Sequence, residues 1–170
     1  MPPPLRAAAA LGICYRPISD SDLPFLFDVY GSTRVEELEP TGWTVEMKLQ
    51  FLQHQFAAQH EHYQRHYPDA EWLVIARSAD SVGRLYVEEW PSQIRLIDIA
   101  ILPPFRRLGI GSAILSDLRD WASEKSKPLT IHVEKSNPAR RLYDRMGFAF
   151  VQENGAYDLL EWRPEKAAAA

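Results

Sequence analysis

A strand, a glycine-bearing loop and a helix start follow one another between Ile94 and Ser126, and this order constrains the chain more than any other stretch. Ile94 to Leu102 is an apolar run that reads as a strand, and Ser112 to Ser126 has the spacing of an amphipathic helix. Between them lies Arg106-Arg107-Leu108-Gly109-Ile110-Gly111-Ser112. The first N–H groups of a helix have no partner within it and carry the positive end of its dipole. Glycine lets the backbone turn tightly and lets an anion approach it. Arg106 and Arg107 add fork-shaped donors that suit phosphate. The loop is therefore a candidate phosphate cradle. It lacks the Gly-x-x-x-x-Gly-Lys-Ser/Thr of a nucleotide-triphosphate loop and the Gly-x-Gly-x-x-Gly of a dinucleotide fold.

Composition bounds the rest. A chain of 170 residues, 46% hydrophobic and 25% charged, suits a single globular domain with a substantial core. We read 1–12 as a mobile tail, 13–164 as the domain and 165–170 as a second tail. No apolar run approaches the ~18 residues of a membrane span, and the N-terminus is too weakly apolar for a secretory signal. One cysteine, Cys14, excludes an internal disulfide framework and suits a reducing cytoplasm. The net charge of −4 argues against wrapping nucleic acid and is compatible with a cationic amine substrate.

Along the chain, Ile13–Pro17 reads as a first strand. A helix capped by Ser21 or Asp22 then runs through Tyr30. Thr44 caps a long helix to about His66, with Leu49, Leu52, Phe56 and Tyr63 on its packing face. His54, His62 and His66 lie on its polar side without the acidic companions of a zinc site, so no metal is assigned. Trp72–Ala76, Val82–Trp90 and Ile94–Leu102 form three successive antiparallel strands. In the helix after the loop, Ile114, Leu115, Leu118 and Trp121 face the core, with Asp117, Arg119, Asp120 and Glu124 outside. Pro128 to Val133 is a strand reached through a helix, hence parallel to the one before the loop. Asn137-Pro138 opens a helix that stops at Gly147, and Asn154-Gly155 turns a final hairpin.

The loop fits Arg-x-x-Gly-x-Gly. About 30 residues later stands Asn137-Pro138-Ala139-Arg140-Arg141-Leu142-Tyr143-Asp144-Arg145-Met146-Gly147-Phe148. Both motifs, in this order on these elements, resemble those of the GNAT (Gcn5-related) N-acetyltransferase superfamily. The resemblance covers roughly Trp72 to Trp162 and implies an α+β fold. Its centre is a twisted, mixed, mostly antiparallel sheet of about six or seven strands flanked by about four helices. Two departures stand out. Asn137 is two residues before Ala139 where the family has three, and Arg107 occupies a position where many members have glycine. Arginine fits there if its backbone is ordinary.

The resemblance implies transfer of an acetyl group from acetyl-CoA to a small-molecule or protein amine, by direct attack in a ternary complex. It assigns the CoA pyrophosphate to the N–H groups of Arg107, Leu108, Gly109, Ile110, Gly111 and Ser112, with Arg106 assisting and Asn137 beside the pantetheine arm. Ile99, Ala100 and Ile101 would line that arm, and an N–H near Ala100 or Ile101 would hold the oxyanion. Tyr143 would protonate the leaving thiolate. Asp98, an acid within an apolar strand, is the first candidate to bind or deprotonate the amine, with Glu88 and Glu89 as rivals. Glu36 to Trp43, the polar face of the long helix and Asn154 to Tyr157 are the expected acceptor surface. No metal, membrane or nucleic acid is implied, and a monomer or homodimer fits equally. Two other readings stay open: a silent acyl-CoA-binding module, and an acetyltransferase toxin acting on aminoacyl-tRNA.

Overall fold

The computed structural model describes residues 1–165; the expected C-terminal tail lies, from residue 166 on, outside them. Seven strands form one sheet in the order β1-β2-β3-β4-β5-β7-β6. They are β1 Ile13–Pro17, β2 Glu71–Arg77, β3 Asp80–Glu89, β4 Ile94–Ile101, β5 Leu129–Glu134, β6 Ala149–Asn154 and β7 Tyr157–Trp162. Every pairing is antiparallel except β4 with β5, as the intervening helix requires. The helices are α1 Ala7–Ala10, α2 Leu23–Ser32, α3 Val35–Leu38, α4 Val45–His66, α5 Ile110–Glu124 and α6 Arg140–Arg145. This is the α+β architecture the motifs imply, with additional short helical turns.

Strand alternation gives the sheet two covered faces. On one, Leu85, Val87, Ile94, Leu96, Leu129 and Ile131 meet the apolar stripe of α5. Ile114, Leu115 and Leu118 of that stripe are fully buried. On the other face Arg84 reaches Gln59 of α4 (2.9 Å), and Tyr63 of α4 packs edge-on to Tyr86. There Leu26 and Tyr30 of α2 and Phe56 of α4 make a second, smaller core.

Three expectations need correction. Residues 1–12 are not simply a tail: α1 docks on α5, and Ala8 is fully buried. Asp117, expected on the outside of α5, is also fully buried. Its carboxylate accepts the N–H groups of Arg6, Ala7 and Ala8 at 2.7–3.0 Å. A four-residue helix cannot satisfy its own first donors, and an anion at its N-terminus does so from another element. Leu49, expected on the packing face of α4, is 44% exposed. Val45 and Met47 beside it are exposed too, because the first turns of α4 extend past the Leu26–Tyr30–Phe56 cluster.

Candidate active site

β4 is paired with β5 only from Ile94 to Leu96. Beyond that point its β5-facing edge is open. A bulge coincides with the parting: Tyr86 faces Asp98 and Val87 faces Leu96, leaving Ile97 without a partner on β3. The extra residue reverses which amides face the gap. Ile94 N–H donates towards β5, to Pro128, whereas Leu102 N–H donates to Val82 on β3 (2.8 Å). Alternation from Leu102 turns the N–H and C=O of Ile101 and Ile99 to the open edge, and those of Ala100 to β3. Two contacts agree. Arg106 Nε donates to the Ile101 carbonyl from the open side (2.7 Å). On the β3 side, a Cβ added at Gly83 would lie 2.3 Å from the Ala100 carbonyl oxygen, so only glycine allows this approach. The amide of Ala100 is therefore turned away from the gap it was expected to serve.

At the end of β4, Pro103–Phe105 form a 3-10 turn and the glycine loop enters α5. Gly109 caps the helix at φ 80°, a conformation costly for any residue with a Cβ. Among the described residues no side chain caps the helix start and no acid lies in its first turn, so its leading N–H groups are available to an anion. α6 packs beside this helix start: a Cβ at position 111 would be in ordinary contact, 3.6 Å, with Leu142 Cδ2, the neighbour of Tyr143. The two motifs thus meet at one end of the gap. A phosphate-bearing thioester with a peptide-like arm fits these features: uncapped N–H groups for the phosphates and an unpaired strand edge for the arm.

The arginines behave differently from expectation. The Arg106 guanidinium spans the mouth of the gap, from the Ile101 carbonyl to Ser32 Oγ at the end of α2 (3.2 Å), and is not held at the helix start. Arg107 is exposed and adopts φ 60°. It takes the left-handed conformation that glycine takes freely, where the sequence reading required an ordinary backbone. Asn137 is exposed, and its side chain accepts the N–H of Ala139 (2.9 Å), closing the turn into α6.

Tyr143 is 3% exposed and packs edge-on to Phe148. Burial, and then the charge of Asp98, push its hydroxyl pKa well above the ordinary tyrosine value. The group therefore keeps its proton at neutral pH. Asp98 Oδ2 lies 2.5 Å from Nη2 of the buried Arg84. Of its rivals, Glu89 is exposed and pairs with Lys127 (2.7 Å) and Lys125 (3.5 Å) at the far end of the strand. Glu88 is buried on the α4 face, with Oε2 unpartnered among the described residues.

On the α4 face, where β4 leaves β5, lies a cavity of about 360 Å³. Its walls are the polar side of α4 (Gln55, Gln59, His62) with Tyr63, the hairpin residues Asn154 and Tyr157, and Tyr30 and Arg34. Leu96, Ile97, Arg95 and His132 form its floor. The polar helix face and the hairpin were expected here. The segment Glu36 to Trp43 does not line this cavity; Trp43 borders a separate concavity with Met47, Gln50 and Phe51. Sequence reasoning missed Arg95 and His132. For Arg95 the available signal was a charge inside the apolar run Ile94 to Ile101, the argument already applied to Asp98.

The model of the acetyltransferase (GNAT) family matches residues 34–148. A search of curated proteins finds no significant match. Among solved structures, the PaiA N-acetyltransferase from Thermoplasma acidophilum in complex with coenzyme A superposes with a TM-score of 0.67 at 15% identity, over 89% of this chain and 98% of its own. An acetyltransferase from Thermus thermophilus superposes with 0.62 at 20% identity, over 90% and 97%. A GNAT family acetyltransferase from Elizabethkingia anophelis with acetyl-CoA bound gives 0.53 at 19% identity, over 89% and 98%. At such identities the likeness is one of fold.

Proposed function

Since the chain belongs to the acetyltransferase (GNAT) family and is an acyltransferase, we propose that it transfers acetyl from acetyl-CoA to a primary amine by direct attack. The observation that carries this reading is the gap between β4 and β5, with an uncapped helix N-terminus at one end and a buried tyrosine beside it. Acetyl-CoA supplies the activated acyl group; the protein holds it and manages the protons. The N–H groups from Arg107 to Ser112 take the pyrophosphate, and Arg106 leaves Ile101 and Ser32 as the arm arrives. Asn137 borders the arm at the start of α6. Ile99 and Ile101 offer N–H groups at the open edge, aimed at the carbonyl oxygen as charge grows on it. This deepens the expectation for Ile101 and replaces Ala100 by Ile99.

Tyr143 is the proposed proton donor to the leaving thiolate, because its buried hydroxyl holds its proton at neutral pH and can hydrogen-bond the sulfur as negative charge grows on it. Asp98, partly exposed and next to the splay, is the proposed acceptor of the amine's proton, directly or through water. The test pairs two readouts. Acetyl-CoA at ~100 times its dissociation constant should stabilise the fold by about 2.7 kcal/mol, a visible thermal shift. The same sample should release thiol when an amine is added. A shift without release from any amine class would support the silent module, and no shift at millimolar acetyl-CoA would refute the assignment of residues 106–112.

A further inference from the structure

The acceptor cavity contains two arginines in opposite electrostatic situations. Arg34 is neutralised: it pairs with Glu37 at 2.9 Å and with Glu134 at 3.0 Å. Arg95 is 6% exposed, and no carboxylate among the described residues lies within the 4 Å of an ion pair. Glu88 stands directly opposite it across β3 and β4 and forms no ion pair with it. The partners of the Arg95 guanidinium are uncharged. One is Nδ1 of His132 (2.9 Å); another is the ring of Trp90, 5.2 Å below, itself stacked on Tyr67. Its Nε has no acceptor among the described residues. A buried cation without a counter-ion is costly, and such a site is stabilised by whatever anion enters it.

The histidine sharpens this. A guanidinium only donates, so Nδ1 of His132 accepts, and the ring proton sits on Nε2. Arg95 and His132 therefore present donors only. None of the described residues that line the cavity is acidic. The same cavity is floored by Leu96 and Ile97, the last residue paired with β5 and the bulge residue. An anion held on Arg95 leaves the rest of its molecule directed at the point where β4 and β5 part. At about 360 Å³ the space is that of a small molecule.

We propose that Arg95 and His132 form a carboxylate subsite, and that the acceptor is a small amine carrying a free carboxylate, of the amino-acid type. The assignment rests on acetyl transfer as the reaction and names its substrate class. Net charge alone is compatible with a cationic amine, but the local charge differs from the overall one: the chain carries −4, yet this cavity is cationic.

The experiment offers the enzyme the protein amino acids, each beside its amide and its decarboxylated amine, and follows thiol release from acetyl-CoA. At least one free amino acid should exceed its two counterparts in kcat/KM by about 10- to 100-fold, the worth of a charge-assisted hydrogen bond. In Arg95→Gln that preference should vanish, through KM for the carboxylate substrate and not through kcat. Comparing ratios between enzyme and variant cancels the different basicities of the three amines. Arg95→Lys, which keeps the charge and loses the fork, should retain part of the preference and serves if the glutamine variant does not fold. Amides or decarboxylated amines used as well as every amino acid, or a preference unchanged in Arg95→Gln, would overturn the subsite. Calorimetric titration of the CoA-bound enzyme with the same panel separates the two claims. Carboxylate-dependent binding without thiol release keeps the subsite and defeats acetyl transfer. No carboxylate-dependent binding and no turnover defeats the subsite.

Discussion

The two sides of the β4–β5 gap are built in different ways. On the proposed cofactor side the groups on offer are mostly backbone: the N–H groups at the start of α5 and the open edge of β4 at Ile99 and Ile101. The helix start is positioned by contiguous sequence, through Gly109 and the helix that follows it, and the open edge by a single bulge at Ile97 in the pairing of β4 with β3. On the proposed acceptor side the groups on offer are side chains, brought from α2, α4, β4, β5 and the last hairpin. Backbone groups recognise what every acyl-CoA shares. Side chains gathered from distant elements can change without disturbing the first side, and the proposed function puts substrate choice there.

Substitutions can break this division or sharpen it. Tyr143 is the main side chain on the otherwise backbone-built half, and Tyr143→Phe should have the largest effect. It should lower kcat by about 10²- to 10⁴-fold, the usual range for a lost general acid, with KM for acetyl-CoA little changed. A steady-state comparison checks it, and a kcat near that of the wild type would remove Tyr143 from the chemistry.

Asp98→Asn tests the boundary between the halves. It would leave Arg84, buried beneath α4, without its carboxylate. Breaking a buried pair costs about 3–5 kcal/mol, so denaturant unfolding should show a large loss beside any fall in rate. Loss of activity with unchanged stability would mean that Asp98 acts on the amine alone and that its pairing with Arg84 is unimportant for the fold.

Arg107→Gly should do the reverse and stabilise the fold. The left-handed conformation costs a residue with a Cβ about 1–2 kcal/mol, and glycine adopts it freely. The melting temperature should rise. Acetyl-CoA affinity separates two roles: unchanged binding means the backbone alone serves, and weaker binding means the guanidinium touches phosphate.

The smallest effect expected is one of pH on the acceptor side. Burial, and then the nearby Arg95, hold the His132 pKa below its ordinary value of 6.5. A group with a lowered folded pKa contributes its stability fully above the unfolded value and loses it as pH falls through that value towards the folded one. Melting temperature should therefore drop below about pH 6.5. The slope should be shallower in His132→Asn. His60 contributes in the same direction and remains in that variant, so the slope should not vanish.

How much was legible follows the same division. The fold was readable because its signals are local: period-two strands, the stripe of α5, and Asn154-Gly155 turning the last hairpin. Ile114, Leu115, Leu118 and Trp121 were all assigned to the core from spacing, and all are buried. Where spacing failed, a distant partner decided. Asp117 looked like the solvent side of a helix until α1, from the other end of the chain, brought its N–H groups to it. Leu49 fits the stripe of α4, but the first turns of that helix run past the cluster that buries Phe56.

The candidate site divides likewise. Glycines at 109 and 111 and Tyr143 stand in two short motifs, and local sequence determines what their backbones can do. By itself, then, the sequence determined the sheet, the glycine-bearing loop at the start of α5 and the family. The tertiary structure alone decided three things. The bulge at Ile97 turned Ile99, and not Ala100, to the open edge. Arg106 came to span the gap. Arg95 and His132, 37 positions apart, came together as a donor pair on the cavity floor. The reason is range. Hydrophobic period and turn chemistry act over a few residues, whereas the register of two strands and the counter-ion of a buried charge are set by residues far away along the chain.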